Sequence, residues 1–214
     1  MTSPPVNTRE NARSNQEDLE QTIGLRDFEV LDVIEQEDLA RFTFEGLKRR
    51  LGVHPETLSR TLERLEEQNI VERSAGGYQL TDKGRGMANV HPLSNSGSRI
   101  PLVRTVLPPT VPYETVVPLL EGKWFGDLRW LGRSSTPSEA VLKWITADGR
   151  VQLDAIFSRG ELQIEGRLLR GDDTTKAIHA SHQLVDHIFR EYLKPYRSRS
   201  LMYRGVRPIS FIAN

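Results

Sequence analysis

The apolar residues of this chain follow two different periods, one in each half, and that break constrains the fold more than any other feature. Between Leu25 and Leu65 they recur every three or four residues, as one face of a helix requires. Leu25, Phe28, Leu31 and Ile34, with Asp27, Glu29, Asp32 and Glu35 between them, predict a first helix. A second fits Phe44 to Leu51, with Thr43 as N-cap and Gly52 just past its end. A third fits Pro55 to Gln68. Proline suits the first helical position, where its missing N–H would be unpaired anyway, and Asn69 ends the helix. Ile70 and Val71 begin a strand, Ala75-Gly76-Gly77 turns the chain, and Tyr78 and Leu80 alternate on the return.

From Lys123 the period is two. "KWFGDLRWLGR" places Trp124, Gly126, Leu128 and Trp130 on one side of a strand. "EAVLKWI", "VQLDAIF" and "ELQIEGRLL" are three more, joined by the turns "TADGR" and "SRG". Ahead of them "RIPLVRTVL" reads as a strand and "VPYETVVPLLEG" as a short helix after Val111, with Pro118 opposing its second half. Asp172 or Asp173 can cap a long helix from Thr174 to about Leu193, whose Ile178, Leu184, Val185, Ile188 and Tyr192 form a stripe. The fold class expected is α+β: an N-terminal helix–helix–hairpin unit, then an antiparallel sheet packed by a long helix in the order β-α-β4-α.

The segments between these units lack any period. Residues 1–22 are polar and read as a disordered leader, residues 23–88 form the first domain, and residues 89–99, rich in Ser, Asn and Gly, read as a linker. Residues 100–193 form the second domain. The tail, 194–214, carries Lys194, Arg197, Arg199, Arg204 and Arg207 with no acid, and ends in the apolar "ISFIAN". That tail suits an arm on phosphates, or a strand from Val206 to Ala213 that packs on the domain or on a partner.

The 214 residues hold 29 Lys plus Arg and 29 Asp plus Glu, so overall charge points to no polyanionic partner; a local basic surface can still act alone. Cysteine is absent, which excludes disulfides and thiolate sites and suits a reducing cytoplasm. No apolar run approaches 18 residues, so no spanning helix is expected.

The third helix is two-sided. Leu58, Leu62 and Leu65 make the buried stripe, while Thr57, Arg60, Thr61 and Arg64 follow the same spacing on the other side. A helix entering the major groove needs this design, since Arg pairs with guanine through two bonds and Thr reaches a thymine methyl or a phosphate. Arg73, Lys83 and Arg85 flank a hairpin with a small Gly-rich tip, and Lys48 and Arg49 close the second helix. The stretch "FEGLKRRLGVHPETLSRTLERLEEQNIVERSAGGYQLTDKG" resembles the winged helix-turn-helix of bacterial and archaeal transcription regulators, most of all the MarR-type group. Leu47, Leu51-Gly52-Val53, Leu58-Ser59-Arg60, Leu62, Leu65, Ile70, Leu80-Thr81 and Gly84 stand at the matching places. The resemblance implies a homodimeric regulator that binds double-stranded DNA by these nine residues: Thr57, Arg60, Thr61, Arg64, Arg73, Lys83, Arg85, Lys48 and Arg49. Residues 24–85, however, hold 10 basic and 13 acidic side chains, and an acidic winged helix also suits a protein–protein adaptor in a transcription or replication assembly.

The order of the second half resembles half of a TATA-binding protein, a helix-grip arrangement carried by "AIFSRGELQIEGRLL…TTKAIHASHQLVDHI". Only the topology is carried over. Seven basic and six acidic residues between Lys123 and Arg167, with Asp154 and Glu165 opposite the apolar stripe, oppose a DNA-binding saddle. The domain is expected to dimerise, to bind another protein, or to hold a small effector between Trp124, Trp130 and Trp144, whose other reading is core packing. His179, His182 and Asp186 share a helix face but read as exposed polar residues rather than metal ligands. No nucleophile elbow, phosphate loop or HExxH occurs, so neither enzyme activity nor a cofactor is expected.

Overall fold

A computed structural model describes residues 24–88, 99–109, 112–136, 138–171 and 173–203. The expected leader, most of the expected linker, and Arg204, Arg207 and the terminal apolar stretch lie outside the described residues. The described chain is mixed α/β, with six helices and an eight-stranded antiparallel sheet. The order is α1 (Leu25–Gln36), β1 (Arg41–Phe42), α2 (Phe44–Leu51), α3 (Pro55–Glu67), β2 (Val71–Ser74), β3 (Gly77–Leu80) and α4 (Asp82–Ala88). Then come β4 (Ile100–Val106), α5 (Tyr113–Leu120), β5 (Leu128–Ser135), β6 (Ala140–Thr146), β7 (Val151–Ser158), β8 (Glu161–Leu168) and α6 (Thr174–Tyr203). None of the described helices is long and apolar enough to cross a membrane.

The helix ends form as their residues dictate. Thr43 Oγ1 accepts from the Gly46 N–H at 3.1 Å, and Gly52 takes the left-handed conformation at φ +70°. His54 caps α3 through Nδ1, which accepts from the Glu56 N–H, and Pro55 follows at the first helical position. Asn69 ends α3 at φ +60°. Two short elements escape the hydrophobic pattern: the two-residue β1 has no room to show a period, and α4 opens directly after the hairpin on Asp82.

β1 joins the two halves. It pairs with β3 on one side and with β5 on the other, so the sheet runs β2-β3-β1-β5-β6-β7-β8-β4. On one side of β4–β8, α5 and α6 cover an apolar core that includes Trp144, Leu153, Phe157, Ile164, Leu184 and Tyr192. A second core, with Ile34, Leu47, Leu58, Leu62, Leu65 and Ile70, lies among α1–α3 and the hairpin, and takes in Leu131 of β5. α2 lies on β5 so closely that a Cβ at Gly46 would stand 2.5 Å from the Leu131 Cα.

Four expectations change. Leu25 and Phe28 are 80% and 39% exposed, because α1 buries Val30, Leu31, Val33 and Ile34 instead. β5 begins at Leu128, not Trp124: Phe125 and Leu128 bridge a tight turn with Gly126 at φ +54°, and Phe125 takes the buried place. α6 continues to Tyr203, which puts Lys194, Arg197 and Arg199 on a helix rather than in a separate tail. Ile178, placed on the buried stripe of α6, is 44% exposed.

Candidate nucleic-acid interface

α3 packs chiefly on α1, α2 and β2. Leu58, Leu62 and Leu65 are buried there, and Glu56, Thr57, Arg60, Glu63, Arg64 and Glu67 face outward. The hairpin β2–β3 beside it turns at Ala75-Gly76, with Ser74 paired to Gly77. Of the expected interface residues, Thr57 and Arg60 lie on the outward side of α3, Arg73 on β2, Lys83 and Arg85 on α4, and Lys48 and Arg49 in the last turn of α2; two others need correction.

Thr61 is buried, not exposed, because its position falls at the α1 side of α3. Arg64 is committed to Asp27, a carboxylate that α1 buries: its Nη2 and Nε both donate to Asp27, and Nη2 also to Thr61 Oγ1. Burial pushes the Asp27 carboxyl up, but the bonds from Arg64, the Gly24 N–H and Thr61 outweigh it and hold it below the usual carboxylate range. Thr61 and Arg64 therefore tie α3 to α1.

The remaining candidates are exposed or half-buried, and most have an acid beside them. Arg60 pairs with Glu56 at 2.6 Å, Arg73 with Glu66 at 3.1 Å and Arg85 with Asp82 at 2.7 Å. Lys48 and Arg49 share Glu45, whose carboxyl is held low by the Lys48 hydrogen bond first and by both cations together. Lys83 donates to the Gln68 carbonyl at 2.8 Å. Pairs this exposed contribute at most about 1 kcal/mol each, so a phosphate can displace the acid at little cost.

The tryptophans separate. Trp144 and Trp130 are buried, edge to face at 5.2 Å, with Trp144 Nε1 donating to the Lys123 carbonyl; they fill the core. Trp124 is 56% exposed and stands apart from them. It lies under the Arg129 guanidinium (4.8 Å to the ring centre) and near that of Arg49 (5.9 Å). On α6, His179 and Gln183 are hydrogen-bonded, and His187 stacks on Phe125 at 3.7 Å; burial is the main cause that lowers its pKa. Among the described residues no group of three or more His, Cys, Asp or Glu could hold a metal ion.

Sequence reasoning missed the contact between the halves. Glu37, the residue that ends α1, is fully buried against the sheet. It accepts from Arg50 at 3.0 Å, from Gln152 at 2.7 Å and from Arg167, and Lys143 lies 3.8 Å away. Lys143 and Gln152 also bond Asp154, at 2.8 and 2.9 Å. The only available signal was the alternation itself, which put Lys143, Gln152 and Asp154 together on the side away from the apolar core. No protein-family model, no curated protein and no solved structure matches this chain.

Proposed function

We propose that this chain is a sequence-specific regulator of transcription that binds double-stranded DNA through a winged helix, residues 24–88. The order helix, short strand, two helices and a hairpin whose return strand pairs with the short strand supports that reading. The observation that carries the reading is the placement of α3: it packs chiefly on α1, α2 and β2 of the N-terminal half, and its Thr57 and Arg60 side is turned outward. In this reading Thr57 and Arg60 reach base edges, and Arg73, Lys83 and Arg85 meet phosphates. Thr61 and Arg64 hold the helix in place. The β4–β8 sheet with α6 serves as the dimerisation or effector unit of a cytoplasmic homodimer.

A titration of duplex binding against salt, with random and genomic fragments, tests this. Affinity should fall steeply between about 50 and 200 mM salt, as release of counterions from contacted phosphates requires. Arg60→Ala should weaken binding by about 1–3 kcal/mol and relax preference at one base position. Absence of duplex binding even at low salt ends the proposal. The second reading, a winged-helix adaptor between proteins, is favoured by one observation: Glu56, Glu63 and Glu67 outnumber Arg60 and Arg64 on the outward side of α3.

A further inference from the structure

We propose that a second contact for the duplex lies at the seam between the two halves, around Trp124, Arg129, Arg49 and Arg170; it rests on the DNA-binding reading above and supplies what that reading lacks. The outward side of α3, the hairpin and the start of α4 carry five cations (Arg60, Arg64, Arg73, Lys83, Arg85) against six carboxylates (Glu56, Glu63, Glu66, Glu67, Glu72, Asp82). A duplex is held mainly through its phosphates, which calls for a positive excess. The seam has one.

Trp124 is a large aromatic ring left more than half exposed beside cations from both halves, Arg49 of α2 and Arg129 of β5. Arg129 donates to the carbonyls of Gly126 and Leu128 at 2.7 and 3.3 Å, which fixes its guanidinium without neutralising it. Arg170 lies against the turn between α2 and α3: a Cβ at Gly52 would stand 2.0 Å from its Nη2. Gly52 is three residues before α3 begins, so this cation adjoins the N-terminal end of the proposed reading helix. A Cβ at Gly149, in the β6–β7 turn, would stand 3.1 Å from the Arg49 carbonyl oxygen and 4.0 Å from Arg170 Nη1, which brings Arg150 into the same neighbourhood.

Among the described residues Lys123, Arg129 and Arg170 form no ion pair. With Arg49, Lys48, Arg150 and Lys176 included, seven cations stand with four carboxylates (Glu45, Asp127, Asp148, Asp173) among the described residues. Asp148 is already engaged. Burial works against its ionisation, but hydrogen bonds from Lys176, Thr146 and the Arg150 N–H hold its carboxyl at about 2. Stacking on an indole orients a guanidinium while leaving N–H groups directed outward for phosphate oxygens. The chemistry that fits is the backbone of a duplex running from the groove at α3 across the seam.

Trp130 and Trp144 are buried, so the emission that acrylamide can quench comes from Trp124. A saturating duplex should shield that emission in the full chain. Arg129→Glu with Arg170→Glu, its fold checked by circular dichroism and thermal unfolding, should weaken binding to all duplexes alike and lower the salt slope by about two units. Preference among sequences should stay as it is, whereas Arg60→Ala should alter it. If the duplex binds but leaves the quenching, the affinity of the double variant and its salt slope unchanged, the seam contact is wrong and the winged-helix reading stands. Shielding by single-stranded but not duplex DNA also overturns it. A native chain that binds no duplex at low salt ends both.

Discussion

The two sides of the sheet at β6 and β7 are both buried, but by opposite chemistry. Towards α5 and α6 the strands present Leu142, Trp144, Leu153 and Ala155, and burial there is its own driving force. Towards α1 and α2 the same strands present Lys143, Gln152 and Asp154, which are 2%, 1% and 4% exposed. Burial on that side costs free energy unless the charges meet partners, and Glu37 accepts from Arg50, Gln152 and Arg167, although Arg167 Nε and Nη2 and Gln152 Oε1 stay without one among the described residues. The difference teaches that a polar strand face is not evidence of solvent. Here it is the site where the N-terminal half docks.

That contrast can be broken from the polar side first. Glu37→Ala leaves Arg50, Lys143 and Arg167 facing Asp154 alone, and should cost about 3–5 kcal/mol in denaturant unfolding. Leu153→Ala, on the other side of the adjacent register position, removes apolar contacts and leaves a cavity for about 2–5 kcal/mol. If Leu153→Ala proved the far costlier of the two, Glu37 would be a bystander and the halves would be held by packing alone. Gly46→Ala probes the docking without touching charge. Its methyl group would meet β5 backbone at 2.5 Å and 2.6 Å, and should cost about 1–3 kcal/mol by lifting α2 from the sheet. The smallest effect depends on pH. Burial and the neighbouring Asp32 push the Glu35 carboxyl from its ordinary 4.5 to about 7. The folded chain then keeps a proton that the unfolded chain has released, so stability declines as pH rises from about 4.5 to 7. Glu35→Gln should raise the melting temperature at pH 8 and leave it unchanged at pH 4.

Much of the fold was legible because the signals were local. Thr43, Gly52, Pro55 and Asn69 mark helix ends through their own backbone preferences, and alternation located β6, β7 and β8. What escaped was decided by distant partners. Thr61 and Arg64 share the spacing of Thr57 and Arg60, and only the approach of Asp27, 37 residues from Arg64, separates a structural pair from an exposed one. Trp124 fitted the alternation of β5 until the turn at Gly126 substituted Phe125 for it. β1 has two residues, too few for any period, yet it connects both halves of the sheet.

That short strand has a mechanical meaning. A hairpin hydrogen-bonded through β1 into β5 cannot swing as a tethered domain would. Its bearing follows the twist of the larger sheet, as a key's teeth follow its shank. Were two copies to join through their sheets, the spacing between their α3 helices would be a fixed dimension of the assembly, and a site on DNA would have to match that gauge.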